Sequence, residues 1–145
     1  MDSMQTHTIY SASNLSYCPL PFFLAGAAAG FPSPADDYIE KPLDLNELMI
    51  QHPTSTFYVR VDGDSMTGAG IQSGDILVVD RSLEPSSGKI VVAFLDGEFT
   101  VKRIHISPKG ITLRSENPSY KSITVSKEAD FQVWGIVTYV IHRAS

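Results

Sequence analysis

From residue 57 to the C-terminus, short apolar runs alternate with groups of turn-forming residues. Runs of this length, rich in β-branched and aromatic residues, predict strands rather than helices. The predicted strands cover residues 57–61, 76–80, 89–95, 99–106, 111–114, 123–125 and 131–141. Asp96-Gly97 separates two of them and is a strong signal for a tight hairpin turn. Many short strands at regular spacing predict a mainly β fold, in which mostly antiparallel strands form an open barrel or a sandwich.

The chain before residue 57 has a different pattern. A short helical turn is predicted after Asp44, which can cap it, with Glu47 at the spacing of a capping box. His52-Pro53 ends that turn. Residues 1–30 show neither helical nor strand periodicity, so they predict a mobile arm. Phe31-Pro32-Ser33-Pro34 follows the arm and predicts a stiff, extended linker.

The composition is that of a soluble globular protein. With 145 residues the chain can form one domain with a buried core, or one domain and an arm. Hydrophobic residues make up 43% and charged residues 19%, and the formal net charge is −5. No global basic field attracts nucleic acid or a membrane surface, so we expect neither direct sequence-specific DNA binding nor membrane association.

Cysteine and histidine usage indicates the compartment and the chemistry. Cys18 is the single cysteine of the sequence, which excludes a disulfide within the chain and favours a reducing, cytoplasmic location. The four histidines are dispersed, and no Cys/His set has the spacing of metal ligands. We therefore expect no metal and no cofactor.

Residues 20–30 look like the apolar core of a signal peptide followed by a small-residue cleavage site. A signal peptide also needs a positively charged start, but the first Lys or Arg is Lys41 and Asp2 lies upstream. Pro19 and Pro21 break the apolar run, which is too short to span a bilayer. Secretion is therefore not expected.

Gly63-Asp64-Ser65-Met66 interrupts the predicted strands and places a hydroxyl at a bend. Ser65 needs a base to become a nucleophile, and histidine is the usual base. Nothing ties His52 to Ser65, and His105 follows Lys102 by three residues, which turns it to the opposite face of a strand. No carboxylate is obviously placed to orient either ring. A Ser-His-Asp triad is therefore unsupported, but it stays open.

Lys102, on a predicted strand, is the other candidate base. A lysine with the ordinary pKa of about 10.4 is uncharged in roughly one molecule in a thousand at pH 7. Lowering that pKa by about 3 units costs roughly 4 kcal/mol, which burial can supply. Lys102 shares strand parity with Ile104 and Ile106, while Phe99 and Val101 point the other way, so both faces are apolar. The alternatives are an exposed lysine that protects a sheet edge and a serine that only bonds its own turn.

Several segments taken together resemble the LexA/UmuD family of self-cleaving peptidases. They are Gly63-Asp64-Ser65-Met66, Gly70-Ile71, residues 74–80, residues 97–103, residues 29–38, Gln51-His52-Pro53 and residues 116–120. The resemblance covers about residues 29–140, and the combination of segments is highly specific. It implies the LexA-like C-terminal peptidase fold.

The resemblance also implies a role for each site residue. Ser65 would be the nucleophile and Lys102 the general base, and the backbone N–H groups of Asp64 and Ser65 would form the oxyanion hole. The cleaved bond would be Ala29-Gly30, since the family has a small residue or Cys before Gly at this point. Residues 1–29 would then be an arm that self-cleavage removes, and residues 30–145 would be the peptidase and dimerisation domain.

The UmuD branch of the family fits better than the repressor branch. A LexA-type repressor carries a DNA-binding helix-turn-helix domain ahead of the cleavage site, whereas only 29 residues without Lys or Arg precede Gly30 here. The resemblance implies an SOS mutagenesis protein whose cleavage is promoted by a RecA filament on single-stranded DNA. It also implies a homodimer that, once shortened, joins a UmuC-type polymerase of the Y family in error-prone translesion synthesis.

Two other functions are compatible with parts of the sequence. A type I signal peptidase also uses serine and lysine, but it needs a membrane anchor, which this chain lacks. A non-catalytic β-domain that only binds partners would leave Ser65 and Lys102 as ordinary turn and edge residues.

Overall fold

The computed structural model describes residues 5–11, 16–23 and 39–144. Within these residues the chain forms ten β-strands and one short α-helix. In chain order they are β1 (Gln5–Ser11), β2 (Pro19–Phe23), β3 (Ile39–Asp44), α1 (Leu45–Met49), β4 (Thr56–Asp62), β5 (Ile76–Asp80), β6 (Ile90–Leu95), β7 (Glu98–Ser107), β8 (Gly110–Arg114), β9 (Ile123–Thr124) and β10 (Phe131–Ile141). None of these described segments is a helix of the length and apolarity needed to cross a membrane.

Eight strands form one antiparallel sheet in the order β1-β4-β5-β10-β6-β7-β8-β9, and β2 and β3 pair in a separate two-stranded sheet. The larger sheet is not closed, because β1 and β9 lie at its two ends without pairing with each other. The prediction of a mainly β fold with mostly antiparallel strands is confirmed. β7 is an inner strand of this sheet, since it pairs with β6 on one side and β8 on the other.

Strand boundaries agree closely with those predicted from the apolar runs. β5 and β10 begin and end at the predicted residues, β4 and β7 are one residue longer at each end than predicted, and the other predicted strands differ by one residue at one end. Asp96 and Gly97 connect β6 and β7 and have φ angles of 49° and 89°. A two-residue hairpin with positive φ at both positions matches the right-handed twist of the strands it joins, which is why an Asp-Gly pair suits it.

Residues 1–30 show no strand periodicity, yet the part of this arm that the structure describes contains two strands. β1 pairs antiparallel with β4, and β2 pairs antiparallel with β3. β4 bonds β5 along one edge, so its other edge presents backbone donors and acceptors that a further strand can satisfy. Such pairing needs no apolar alternation, and periodicity therefore did not indicate it. Ala29-Gly30 and the linker 31–34 lie outside the described residues.

Two groups of buried apolar side chains form the core, and β7 contributes to both. The first contains Val59, Val61, Met66, Ile71, Leu77, Val79, Val92 and Val101, and the second contains Val91, Ala93, Ile104, Leu113 and Ile136. Val101 and Ile104 point to opposite faces of β7, because side chains alternate along a strand. With both faces covered, β7 buries three successive residues, Thr100, Val101 and Lys102, and then Ile104.

The helix α1 is held as the sequence predicts. Asp44 caps it, since its Oδ1 accepts a hydrogen bond from the backbone N–H of Asn46 at 3.0 Å. The same carboxylate accepts from the backbone N–H of Cys18 at 3.4 Å, and the Asn46 side chain donates to the carbonyl of Ser16 at 2.8 Å. These bonds fasten the chain just before β2 to the helix.

Asp80, at the end of β5, is a buried carboxylate that is 4% exposed. It contacts Nδ1 of His52 at 2.6 Å and accepts from the N–H and hydroxyl of Ser82 at 2.8 and 2.6 Å. Burial opposes ionisation, but the hydrogen bonds from Ser82 and His52 outweigh it and hold the pKa of the Asp80 carboxyl below its usual range. The expectation that no carboxylate lies beside His52 is therefore wrong, because Asp80 is 28 residues away in sequence.

We expect Asp80→Asn to lower the free energy of unfolding at neutral pH by about 1–3 kcal/mol, because the variant loses charge-assisted hydrogen bonds. The pKa of Asp80 is lowered from its ordinary value of 3.8 in the folded protein. Its contribution is therefore fully present above that value and is lost as the pH falls through the folded-state pKa. Urea unfolding of both proteins from about pH 7 to about pH 2 measures the difference, which should shrink at the acid end.

The control for Asp80→Asn is Glu84→Gln, which removes an exposed carboxylate from the loop after β5. We expect this control to change the free energy of unfolding by no more than about 0.5 kcal/mol. A stability difference between wild type and Asp80→Asn that stayed constant down to the lowest pH would contradict the assignment.

Candidate active site

The turn after β4 places Ser65 against the core. Gly63 begins the turn with a φ of 114°, a conformation that side-chain-bearing residues rarely adopt. Ser65 is 1% exposed, and the next residue, Met66, is fully buried in the first core group. A short 3₁₀ turn, Thr67–Ala69, follows, and Ile71 then returns the chain to the core. Buried side chains on both sides of this 3₁₀ turn limit how far Ser65 can move.

Lys102 lies in the middle of β7 and is 0% exposed. Its cross-strand neighbour on β6 is Val91, a member of the second core group. The Lys102 Nζ donates a hydrogen bond to the Ser65 Oγ at 2.9 Å. The alternative of an exposed lysine at a sheet edge is therefore wrong, because this lysine is buried on an inner strand.

The aromatic ring of Tyr120 also lies near this amine. The Lys102 Nζ is 5.8 Å from the centre of the ring. An aromatic face attracts a positive charge at distances up to about 6 Å, so this contact at the outer limit favours the charged amine. Burial acts in the opposite direction, because it penalises a charge that is removed from water.

A loop of residues 115–120, which we call the covering loop, packs against the Ser65 turn. The backbone N–H of Glu116 donates to the carbonyl of Ser65 at 2.9 Å, and the N–H of Gly68 donates to the carbonyl of Glu116 at 2.6 Å. The Asn117 side-chain amide donates to the carbonyl of Asp64 at 2.8 Å, and the Tyr120 hydroxyl contacts the Asp64 carboxylate. The covering loop is thus hydrogen-bonded to Asp64, Ser65 and Gly68.

The covering loop is also joined to β7 beside Lys102. The Glu116 carboxylate pairs with Nε of Arg103, and the same guanidinium donates to the carbonyl of Gly88 at 2.7 Å. Sequence reasoning included residues 116–120 only in the resemblance and assigned them no role. The local signal was Asn117-Pro118, a pair typical of a turn, which gives no indication of what the turn contacts.

His52, His105 and His142 do not contact Ser65. His52 contacts Asp80, and His142 contacts the buried carboxylate of Asp75 through Nδ1 at 2.6 Å. His105 is exposed on β7. Two carboxylate–imidazole pairs are therefore present, but within the described part of the chain neither is bonded to Ser65. No Ser-His-Asp triad is assembled among these residues.

In the described ranges, no group of three or more His, Cys, Asp and Glu side chains could hold a metal ion. The site is therefore built from one hydroxyl, one amine and backbone groups. The proposed cleavage residues, Ala29 and Gly30, are among those that the structure does not describe.

Comparison with known proteins supplies the family. Residues 21–138 match the family described as Peptidase S24-like. The chain is 46% identical to Protein ImpA of Salmonella typhimurium over 124 residues, which cover 85% of this chain and 83% of ImpA. It is 47% identical to Protein SamA of Salmonella typhimurium strain LT2 over 123 residues, covering 85% of each. It is 43% identical to Protein MucA of Escherichia coli over 122 residues, covering 83% of this chain and 82% of MucA.

These relatives are UmuD-like SOS mutagenesis proteins, and self-cleavage and a role with a polymerase are typical of their family. The match extends over most of this chain and most of each relative, so it is not confined to one shared motif. The described fold, with an open antiparallel sheet, is consistent with the LexA-like fold that the sequence resemblance implied. The chain belongs to the Peptidase S24-like, or LexA/UmuD, family of self-cleaving serine peptidases, as a UmuD-like SOS mutagenesis protein.

Proposed function

We propose that this chain cleaves its own Ala29–Gly30 bond, with Ser65 as the nucleophile and Lys102 as the general base. The single observation that carries the proposal is the contact of 2.9 Å between the Lys102 Nζ and the Ser65 Oγ, both buried. A serine hydroxyl is a weak nucleophile until a base accepts its proton. A buried lysine that is uncharged is such a base, and it needs no histidine.

The reaction uses the same contact in two directions. In its uncharged form the Lys102 amine accepts the proton of the Ser65 hydroxyl as Oγ attacks the carbonyl carbon of Ala29. The ammonium then returns the proton to the nitrogen of Gly30 as the bond between Ala29 and Gly30 breaks. The same amine then deprotonates a water from solvent, whose oxygen bonds to the Ala29 carbonyl carbon; as the bond from that carbon to the Ser65 Oγ breaks, the ammonium returns the proton to Oγ. A product of residues 30–145 results.

The oxyanion of this reaction would be stabilised by the backbone N–H groups of Asp64 and Ser65. Neither N–H donates a hydrogen bond to another described residue, although both belong to a turn that makes several hydrogen bonds. Backbone donors that are fixed in place and not already bonded are the groups that stabilise a developing negative charge most effectively.

The family relationship supports the partners of the proposed pathway. We propose that a RecA filament on single-stranded DNA promotes the cleavage, and that the protein acts as a homodimer. Residues 30–145, the peptidase and dimerisation domain, would then associate with a UmuC-type polymerase in the cytoplasm after loss of residues 1–29. These proposals rest on the UmuD-like family, whose members dimerise and function with polymerase partners.

Two alternatives make different experimental predictions. A non-catalytic β-domain would never shorten, whatever the pH or the partner. A peptidase like the type I signal peptidases would cleave other chains. The burial of both Ser65 and Lys102 favours the self-cleaving enzyme over the non-catalytic domain, because burying a lysine without a function is costly.

We expect Ser65→Ala and Lys102→Met each to lower the self-cleavage rate about a thousandfold or more, because each removes one half of the reacting pair. Methionine replaces lysine without leaving a large cavity in the core. The measurement is gel analysis of purified protein incubated with a RecA filament, with N-terminal sequencing of the product. The control is Lys109→Met, which removes an exposed lysine. Normal cleavage by Lys102→Met would show that another group is the base.

Self-cleavage without the RecA filament is expected to rise with pH. Only the uncharged amine accepts the serine proton, so each pH unit should raise the rate about tenfold while Lys102 is mainly protonated, up to a plateau. Rates measured from about pH 7 to about pH 10.5 give the profile. Ser65→Ala incubated alongside shows whether any product comes from a contaminating protease. A flat profile over this range would rule out a titrating lysine as the base.

We expect Gly30→Glu to block cleavage while leaving the Ser65–Lys102 contact intact. A long charged side chain directly after the cleaved bond would crowd the bend that the reacting peptide must adopt. Gly26→Glu, which introduces the same side chain elsewhere in the arm, is the control and should still cleave. Cleavage of Gly30→Glu at the wild-type rate would place the cleaved bond somewhere else in the chain.

A further inference from the structure

One side-chain amide fixes the orientation of the peptide group between Asp64 and Ser65. The Asn117 Nδ2 donates to the Asp64 carbonyl at 2.8 Å. The turn itself supplies only a longer bond to this carbonyl, from the N–H of Thr67 at 3.4 Å. Asn117 is therefore the stronger of the two donors that hold this carbonyl, and it lies 53 residues away in sequence.

Asn117 is itself held in one orientation. Its Oδ1 accepts from the backbone N–H of Ser119 at 3.0 Å, which leaves the amide nitrogen directed at the turn. Its neighbour Glu116 is bonded to both Ser65 and Gly68 and pairs with Arg103. A donor fixed in this way loses little conformational freedom when it binds, so it can orient its acceptor effectively.

The position of the covering loop depends on a close approach at Gly68. A Cβ at that position would lie 2.6 Å from the backbone carbonyl oxygen of Glu116. Such a contact is too short, so any side chain would push the loop and Asn117 away from the turn.

The orientation of the Asp64 carbonyl determines where the Ser65 N–H points. In a trans peptide the carbonyl and the N–H lie in one plane and point in opposite directions. When Asn117 holds the carbonyl on the side of the covering loop, the N–H of Ser65 is directed to the other side. No other described group bonds that N–H, so it is available to an incoming oxygen.

We propose that Asn117 is a positioning residue for self-cleavage, which aims the Ser65 N–H at the oxyanion by holding the Asp64 carbonyl. The inference rests on the proposed function, because it concerns the efficiency of the same reaction. Asn117 touches no reacting atom. Its effect is on the stabilisation of the negative charge and not on the proton transfer from Ser65 to Lys102.

The test variant is Asn117→Ser, which adds no charge: its hydroxyl oxygen can still accept from the N–H of Ser119, but its shorter side chain cannot reach the Asp64 carbonyl. Removing an oxyanion donor typically costs a factor of 10²–10³, and here the donor is misdirected and not removed. We expect the self-cleavage rate to fall about 10- to 100-fold at every pH. The pH at which the rate reaches half of its plateau should stay unchanged, because the substitution adds no charge near the Lys102 amine.

The pH profile distinguishes positioning from a general loosening of the site. A loosened loop would also move Ser65 relative to Lys102, and the half-plateau pH would shift together with the rate. Such a shift would overturn the proposal, as would a rate within about twofold of wild type. Gly68→Ala should reproduce the loss of rate, since it displaces the whole loop. Ser122→Ala, just beyond the loop and exposed, should cleave normally.

Thermal unfolding of each variant accompanies the rates. If Asn117→Ser lowers the melting temperature by more than a few degrees, Asn117→Thr is compared under the same criteria, because it is also uncharged, keeps a hydroxyl for the N–H of Ser119 and is too short to reach Asp64. Wild-type protein that fails to cleave would overturn the proposed function. If wild-type protein cleaves and Asn117→Ser cleaves at the same rate, only the role of Asn117 is overturned.

Discussion

The enclosure of a lysine amine in the core is the constraint on which the site depends. Lys102 is 0% exposed, and a charge in such a place costs several kcal/mol unless other groups compensate it. The Ser65 hydroxyl, at 2.9 Å, is a partner for the amine in either charge state, because a hydroxyl both donates and accepts. The Tyr120 ring, at 5.8 Å, compensates part of the charge when it is present.

The sheet topology is what makes this burial possible. β7 has neighbours along both edges and core groups on both faces, so Lys102 is buried there with Val101 and Ile104, while Arg103 stays partly exposed. The same lysine on β9, at the end of the sheet, would lie beside water and keep its charge. The Ser65 turn is not part of a strand, and the buried side chains of Met66 and Ile71 anchor it to the core. The pair thus joins a rigid strand to a turn whose position has to be secured separately.

Most of the fold was predictable because its signals are local. Apolar runs gave the strands after residue 57, Asp96-Gly97 gave a hairpin, and Asp44 gave a helix cap. The features that were missed all join residues far apart in sequence. The pairing of β1 with β4 depends on a free sheet edge, and the contact of His52 with Asp80 spans 28 residues. The bond from Asn117 to Asp64 spans 53 residues, and no spacing rule indicates such a partner.

Two side chains are enough for the proposed chemistry because the base is a lysine and not a histidine. An imidazole base has two different nitrogens and a ring that rotates, so it needs a third group to fix its tautomer and direction. A lysine amine has three equivalent hydrogens when charged and no tautomers, and burial in β7 already restricts its long side chain. What remains to be fixed is the nucleophile and the donors beside it. That task falls to the covering loop, where Glu116 bonds Ser65 and pairs with Arg103 next to Lys102, so that one residue links the turn to the strand.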